Sequence, residues 1–276
     1  MNSHWNVSRY LVSRLHELGI TNIFGVPGDY VLDFLDEVVA SPVRWVGTCN
    51  ELNAGYAADG YARLKGAGAA VVTYGVGGLS ILNAVAGAFA EQVPLIVISG
   101  APANRRRESG AMVHHLISDY YLQLDVYKKM TTDAAILTDP DTAPAEIDRV
   151  LGNCISRKLP VYLELPCDVA LMPCAAPGAW HCAAKAASDP DSLQECLAEV
   201  ASKVNAARSP LILAGVELLR MGLGAQTLRL VETTEIPFST MLSSKAILPE
   251  LHPQFAGIYQ GGWSREAVRR QVEESD

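Results

Sequence analysis

The chain has 276 residues, 49% of them hydrophobic, with 30 acidic against 22 basic side chains and a formal net charge of −8. That length and apolar content can bury a sizeable core, enough for one full domain and part of another. The acidic balance argues against a nucleic-acid or anionic-membrane surface, which needs clustered Lys and Arg. Met1-Asn2-Ser3-His4-Trp5 has no basic stretch running into an apolar one, so no secretory signal is expected and the cytoplasm is the expected location.

In chain order, Val7 to Leu18 sets Leu11, Leu15 and Leu18 at a helical period, with Gly19 placed to cap the end. Short apolar runs then recur at Asn22 to Val26, Arg44 to Thr48, Ala69 to Tyr74, Leu95 to Ser99 and Val161 to Leu165. Between them helices are predicted at Tyr30 to Val39, Glu51 to Leu64, Leu79 to Glu91, Asp119 to Lys128 and Ala143 to Arg157. Continuous apolar strands alternating with helices predict a parallel sheet covered on both faces, a doubly wound α/β fold. From Cys167 to Pro190 the composition turns to Pro, Ala, Cys and Ser without periodicity. We therefore divide the chain into a first domain over residues 1–170, a linker over 171–190 and a partial α/β domain over 191–276. In the last, helices are predicted at Ser192 to Ala206 (Leu193, Leu197, Val200 and Val204 on one face), Glu217 to Glu232 and Arg265 to Ser275, with strands at Pro210 to Ala214 and Ile236 to Thr240.

Glu51 is the most informative residue. It opens a helix of small residues (Ala54, Gly55, Ala57, Ala58, Gly60) directly after a strand, where open α/β sheets place ligands. A first-turn acid also complements the helix dipole, which is the plainer reading. Gly inside a helix is costly unless something must approach closely. Asp29 in Pro27-Gly28-Asp29 also follows a strand and would suit a helix N-cap. His114-His115 read alone is a polar loop feature, and Arg105-Arg106-Arg107 reads as a solvated loop, with contact to an anionic group as the alternative. Gly75-Val76-Gly77-Gly78 continues as G-x-G-x-x-S, with Ser80 where a dinucleotide fingerprint needs its third Gly or Ala, and no acid ends the next strand. The six cysteines contain no C-x-x-C pair and read as free thiols; Cys167, Cys174, His181 and Cys182 fit no common zinc spacing, and no metal site is expected.

Phe24-Gly25-Val26-Pro27-Gly28-Asp29, Asn50-Glu51-Leu52-Asn53-Ala54 with Tyr56-Ala57-Ala58-Asp59-Gly60-Tyr61-Ala62-Arg63, Tyr74-Gly75-Val76-Gly77 and His114-His115 occur here in one order. Together they resemble thiamine-diphosphate-dependent 2-oxo acid decarboxylases, a group that includes pyruvate, indolepyruvate and phenylpyruvate decarboxylases. The resemblance runs from about Gly19 to the last residue and includes Pro144 to Arg149 and Pro160 to Pro166. It implies a pyrimidine-binding domain followed by part of a middle domain, acting in non-oxidative decarboxylation of a 2-oxo acid to an aldehyde through a cofactor ylid. By the resemblance, Glu51 hydrogen-bonds N1′ of the cofactor's aminopyrimidine, Pro27, Val76 and Gly77 lie beside that ring, and Asp29 with His114 and His115 relays a proton near the bound oxo acid.

Pyruvate decarboxylases commonly carry Glu where this chain has Gly78, a departure that leans toward larger or aromatic oxo acids. The Gly-Asp-Gly segment and Asn residues that hold diphosphate and Mg²⁺ in the family have no counterpart here, so the Mg²⁺ ligands are expected outside this chain. The expectation is a half-site, inactive alone, completed in a homodimer or tetramer or by a complementary C-terminal chain. The alternatives are a non-catalytic or regulatory partner of a full-length decarboxylase and a fragment of an acetolactate-synthase-like carboligase.

Overall fold

A computed structural model describes residues 5–180 and 187–276, which fall into two compact units, Met1–Ala184 and Lys185–Asp276. His181 and Cys182, and with them the middle of the expected linker, lie outside the described residues.

The first unit contains α1 (Val7–Glu17), β1 (Asn22–Gly25), α2 (Leu32–Val39), β2 (Arg44–Gly47), α3 (Glu51–Lys65), β3 (Gly68–Val72), α4 (Val76–Ser80), α5 (Leu82–Ala90) and β4 (Leu95–Ala101). These are followed by α6 (Asn104–Ser109), α7 (Leu122–Tyr127), β5 (Asp133–Ile136), α8 (Ala143–Arg157) and β6 (Val161–Pro166). All six strands are parallel, in the order β2-β1-β3-β4-β6-β5. The pleat explains the continuous apolar runs. Ala69, Val71, Ile96, Ile98, Val161 and Leu163 face a core shared with α1, α2 and α8, while Ala70, Val72, Leu95, Val97 and Tyr162 face a second core with α3, α5 and α7. The architecture is thus the doubly wound α/β fold expected.

Three elements went unpredicted in this unit, α4, α6 and β5; the helix expected over Leu79 to Glu91 is two, α4 and α5. Arg105-Arg106-Arg107 therefore lies in a short helix, and Arg107 has only a 6% exposed side chain, so the solvated-loop reading fails there. Residues beyond 170 still belong to the first unit by contact: Asn6 bridges Pro173, Cys174 N–H donates to the Trp5 carbonyl, and Arg14 donates to the Gly178 carbonyl at 3.1 Å. The described cysteines 49, 154, 167, 174 and 196 are thiols, in no disulfide.

Arg14 fastens α1 to α8. Its side chain is 2% exposed and donates from Nε and Nη2 to Asp148 at 2.8 and 2.9 Å, while Tyr10 O–H donates to the same carboxylate. Burial and the adjacent Asp148 push the Tyr10 phenol up to about 12, which keeps it a donor. Asp148→Asn strands a buried cation and is expected to cost about 3 kcal/mol, near the lower end for a broken buried pair because Glu17 still accepts from Arg14. The urea midpoint of the chain measures it, and an unchanged midpoint would contradict this account.

The second unit holds α9 (Pro190–Ala206), β7 (Ile212–Ala214), α10 (Val216–Arg220), α11 (Gly224–Thr234), β8 (Phe238–Met241), β9 (Phe255–Tyr259) and α12 (Glu266–Glu273). Its three strands are parallel in chain order around Ala214, Val231, Phe238 and Leu248. Strand β9 was not predicted, and the helix expected over Glu217 to Glu232 is two helices broken at Gly222, where φ is +68°. The α9 face of Leu193, Leu197, Val200 and Val204 is exposed rather than buried. No described helix is long and apolar enough to cross a membrane.

Candidate active site

Strand order decides where the loops meet. β1 has β2 on one side and β3 on the other, so the connections leaving β1 and β3 diverge and open a crevice at the sheet's carboxyl edge. Three segments lead from that edge: residues 26–29 after β1, 48–51 after β2 and 73–77 after β3.

Glu51 is the first residue of α3, but it does not cap it. The Asn50 side chain accepts from Asn53 N–H at 2.9 Å and takes that duty, which frees the Glu51 carboxylate. Glu51 is half-buried and points toward the loop after β3, where a Cβ placed on Gly77 would sit 3.4 Å from its Oε1 and 2.8 Å from Thr73 Cγ2. Behind it α3 packs on α5, and a Cβ on Gly55 would come within 2.6 Å of Ala84 Cβ, so the close approach expected of the small residues holds at Gly55. At Gly60 it does not, since that residue is exposed with nothing near its missing Cβ.

Asp29 is not a cap either. It opens a 3-10 turn, and its Oδ2 accepts from His114 Nε2 at 2.6 Å, the two side chains being 53% and 57% exposed. His115 lies edge-on to His114 with ring centroids 4.9 Å apart. Tyr30 stacks on the His114 ring at 4.7 Å, and its hydroxyl lies 3.2 Å from Nδ1 and 3.3 Å from the His114 carbonyl. Burial, with the Asp29 charge beside it, pushes the Tyr30 phenol up to about 12. The hydroxyl can therefore donate to an unprotonated Nδ1, or accept from a protonated one and turn its hydrogen to the carbonyl. Tyr30 thus suits both charge states of His114 while Asp29 holds Nε2.

The two groups meet through the loop after β3. A Cβ on Gly75 would collide with the His115 carbonyl, and Gly75 has φ +66°, so only glycine fits there. Asp29, His114 and His115 thus form one cluster, Glu51 and Gly77 another, and Gly75 to Gly77 joins them. Pro27 is exposed on the same edge and Val76 is 53% exposed.

Beneath that loop lies a buried network with no counterpart in the sequence reading. Gly75 N–H donates to Gln123 Oε1 at 2.8 Å, and Gln123 Nε2 donates to Ser99 Oγ and Tyr162 OH at 3.0 and 2.5 Å. Tyr162 O–H donates to Glu164 at 2.8 Å, and Arg107 Nη2 donates to Glu164 at 2.5 Å. Tyr127, stacked on Tyr162 at 3.9 Å, donates to the Gly78 carbonyl at 2.7 Å. Burial raises the Glu164 carboxyl above its ordinary value, with Arg107 opposing, and burial also raises both phenols, which stay donors.

Gly78 matters for the same reason. A Cβ there would collide with the Gln123 amide, so Gln123 already fills the room a larger side chain at 78 would need. The cavity beside it, lined by Tyr74, His115, Leu122 and Gln123, holds about 10 Å³, space for about one water. Thr73, Tyr30, Gln123 and Glu164 are the site residues that sequence reasoning missed. Only Glu164 left a trace, as a charge inside the apolar run Val161 to Leu165.

Residues 5–124 match the family described as thiamine pyrophosphate enzyme, N-terminal TPP binding domain, and residues 197–276 match its central domain. The chain is 42% identical over 274 residues to the alpha-keto-acid decarboxylase of Mycobacterium leprae, covering 98% of this chain and 48% of that protein. It is 40% identical over 256 residues to the pyruvate decarboxylase of Aspergillus parasiticus, covering 91% and 44%, and 41% identical over 272 residues to an alpha-keto-acid decarboxylase of Mycobacterium bovis, covering 98% and 48%. The chain spans about half the length of these relatives. With two family domains matched in order and such relatives along nearly its whole length, the chain belongs to the thiamine-diphosphate-dependent 2-oxo acid decarboxylase family.

Proposed function

We propose that this chain supplies the pyrimidine-side half of an active site that decarboxylates a 2-oxo acid to an aldehyde without oxidation, and that it is inactive alone. The observation that carries the reading is the 2.6 Å Asp29–His114 pair, with His115 beside it, on the same sheet edge as Glu51. Two local features fit a cofactor ring beside Glu51: the close backbone approach that glycine allows at position 77, where a Cβ would come within 2.8 Å of Thr73 Cγ2, and Thr73 Oγ1, buried without a hydrogen-bond partner. Thiamine diphosphate, when bound, supplies the electron sink for loss of carbon dioxide. Glu51 would hold and share a proton with N1′ of the aminopyrimidine, and Pro27, Gly77 and Val76 would line the ring. Mg²⁺ and the diphosphate would be held by residues other than these 276, contributed by the full-length protein across a homodimer or tetramer or by a complementary chain, in the cytoplasm.

The proton that completes aldehyde formation must come from a positioned general acid, and the geometry around His114 suits one: Asp29 fixes one ring nitrogen, and the Tyr30 hydroxyl can donate to or accept from the other. In the full-length protein His114→Phe or His115→Phe is expected to lower aldehyde formation about 10²–10⁴-fold, the usual contribution of a positioned general acid. Product analysis with pyruvate and phenylpyruvate checks it. Aldehyde formed at the parent rate by both variants would remove the basis of the proposal.

A further inference from the structure

Asp29, His114 and His115 each offer one ligand atom, and the three atoms lie within 4.8 Å of one another. We propose that this triad is a binding site for a divalent transition-metal ion of the Zn²⁺ class, and that occupancy blocks the proton-transferring side of the active site. The binding claim stands on geometry alone, whereas the inhibitory consequence rests on the function proposed above.

Two imidazoles and one carboxylate form a nitrogen-rich donor set that suits Zn²⁺ and its neighbours; Mg²⁺ prefers oxygen ligands and keeps its water. Bonds of about 2.0–2.1 Å set tetrahedral ligand atoms about 3.3 Å apart. The Asp29–His114 contact would open slightly and the widest separation would close. Both movements fall on side chains more than half exposed or, for His115, half-buried at the same edge, where rotamer shifts cost little. Three protein ligands on an exposed edge leave the fourth position to water, as in open zinc sites.

Two features hold the donors in place without a metal. Tyr30 stacks flat on His114 and meets its Nδ1, a partner of the kind that orients ligating histidines. His115 has a left-handed backbone, φ 65°, packed against Gly75, and its Nδ1 is buried with no hydrogen-bond partner. An ion bonded to both His114 and Asp29 would take up the lone pair that must accept or give the proton, so it would compete with the reaction.

The test is calorimetric titration of the untagged chain with Zn²⁺ alone, repeated in millimolar Mg²⁺. Saturable one-to-one binding that Mg²⁺ does not displace is expected. Affinity should fall more than about tenfold in each of Asp29→Asn, His114→Ala and His115→Ala, because even loss of an outer partner of a metal ligand costs about 10–100-fold. Cys49→Ser, which removes an exposed thiol from the loop after β2, should leave it unchanged. Circular dichroism confirms that the variants fold. No saturable binding, or an affinity in the triad variants unchanged from that of the parent chain, would overturn the proposal. In the full-length enzyme, Zn²⁺ should inhibit aldehyde formation in excess Mg²⁺, and a zinc chelator should restore it. Binding through the triad without inhibition would uphold the metal site and count against the catalytic role assigned to these residues.

Discussion

Glu51→Gln in the full-length protein is expected to lower turnover by about 10²–10⁴-fold, the range a positioned proton-sharing group contributes, with no measurable loss of stability. The separation of the two effects follows from the helix start. Asn50 caps α3, so the amide at position 51 leaves the cap bond to Asn53 intact, and a half-exposed isosteric change belongs among substitutions worth within about 0.5 kcal/mol. The amide keeps the shape beside Gly77 but cannot take up and release a proton as a carboxyl does. Steady-state kinetics with the cofactor saturating, read beside thermal unfolding, test both halves. Turnover within a few-fold of the parent would mean that Glu51 is only a helix-dipole partner.

Glu164→Gln is expected to cost about 3–5 kcal/mol, the largest stability loss we anticipate for any single isosteric change in this chain. The Glu164 side chain is wholly buried and that of Arg107 6% exposed, so the neutral amide leaves a guanidinium charge without its counter-ion in a place water does not reach. Among the described residues, Arg107 Nε and Nη1 already lack hydrogen-bond partners, and the Tyr121 ring face, 5.5 Å away, offers some further compensation. Arg107→Met combined with Glu164→Gln is expected to recover most of the loss, since a buried pair can be replaced by apolar groups at little cost. Chemical denaturation of the four chains in the cycle gives a coupling energy. A value near zero would show that the two side chains do not depend on one another.

The sequence made the fold legible where burial is two-sided. β3, β4 and β6 read as apolar runs because both faces of each are covered, and α8 was bounded correctly by a clear helical period ending at Arg157. β5 is a four-residue edge strand that begins with Asp133, which offers neither length nor alternation. β9 carries Gly257 at φ 136° and a register shift against β8, and both blur a strand pattern. α6 (Asn104–Ser109) contains no apolar residue, so no apolar period marks it. At the site, Glu51, Asp29 and the His pair were legible as motifs. Thr73, Tyr30 and Gln123 were not, because their roles exist only once β1 and β3 lie side by side and α7 is laid against the loop after β3. The α9 face shows the opposite failure: a clean apolar period describes what a helix could bury, whatever covers it.

Because every ladder in the first unit is parallel, no strand pair can begin as a hairpin, and each must wait for a crossover to bring distant residues together. The ladders differ in how long they wait. Ile23 meets Ala69 early in synthesis, whereas β4 gains its second neighbour only when Ile96 finds Val161 and Ser99 finds Glu164. Non-local pairings of this kind are slow to form. A nascent chain that has not reached Val161 would already carry Glu51, Asp29 and both histidines, yet Gln123 would lack Tyr162, and Arg107 would have no acid to meet. The floor that fixes the Gly75 loop is thus the last part of the site to arrive, and the order of folding sets chemistry-bearing residues in place before the support that aligns them.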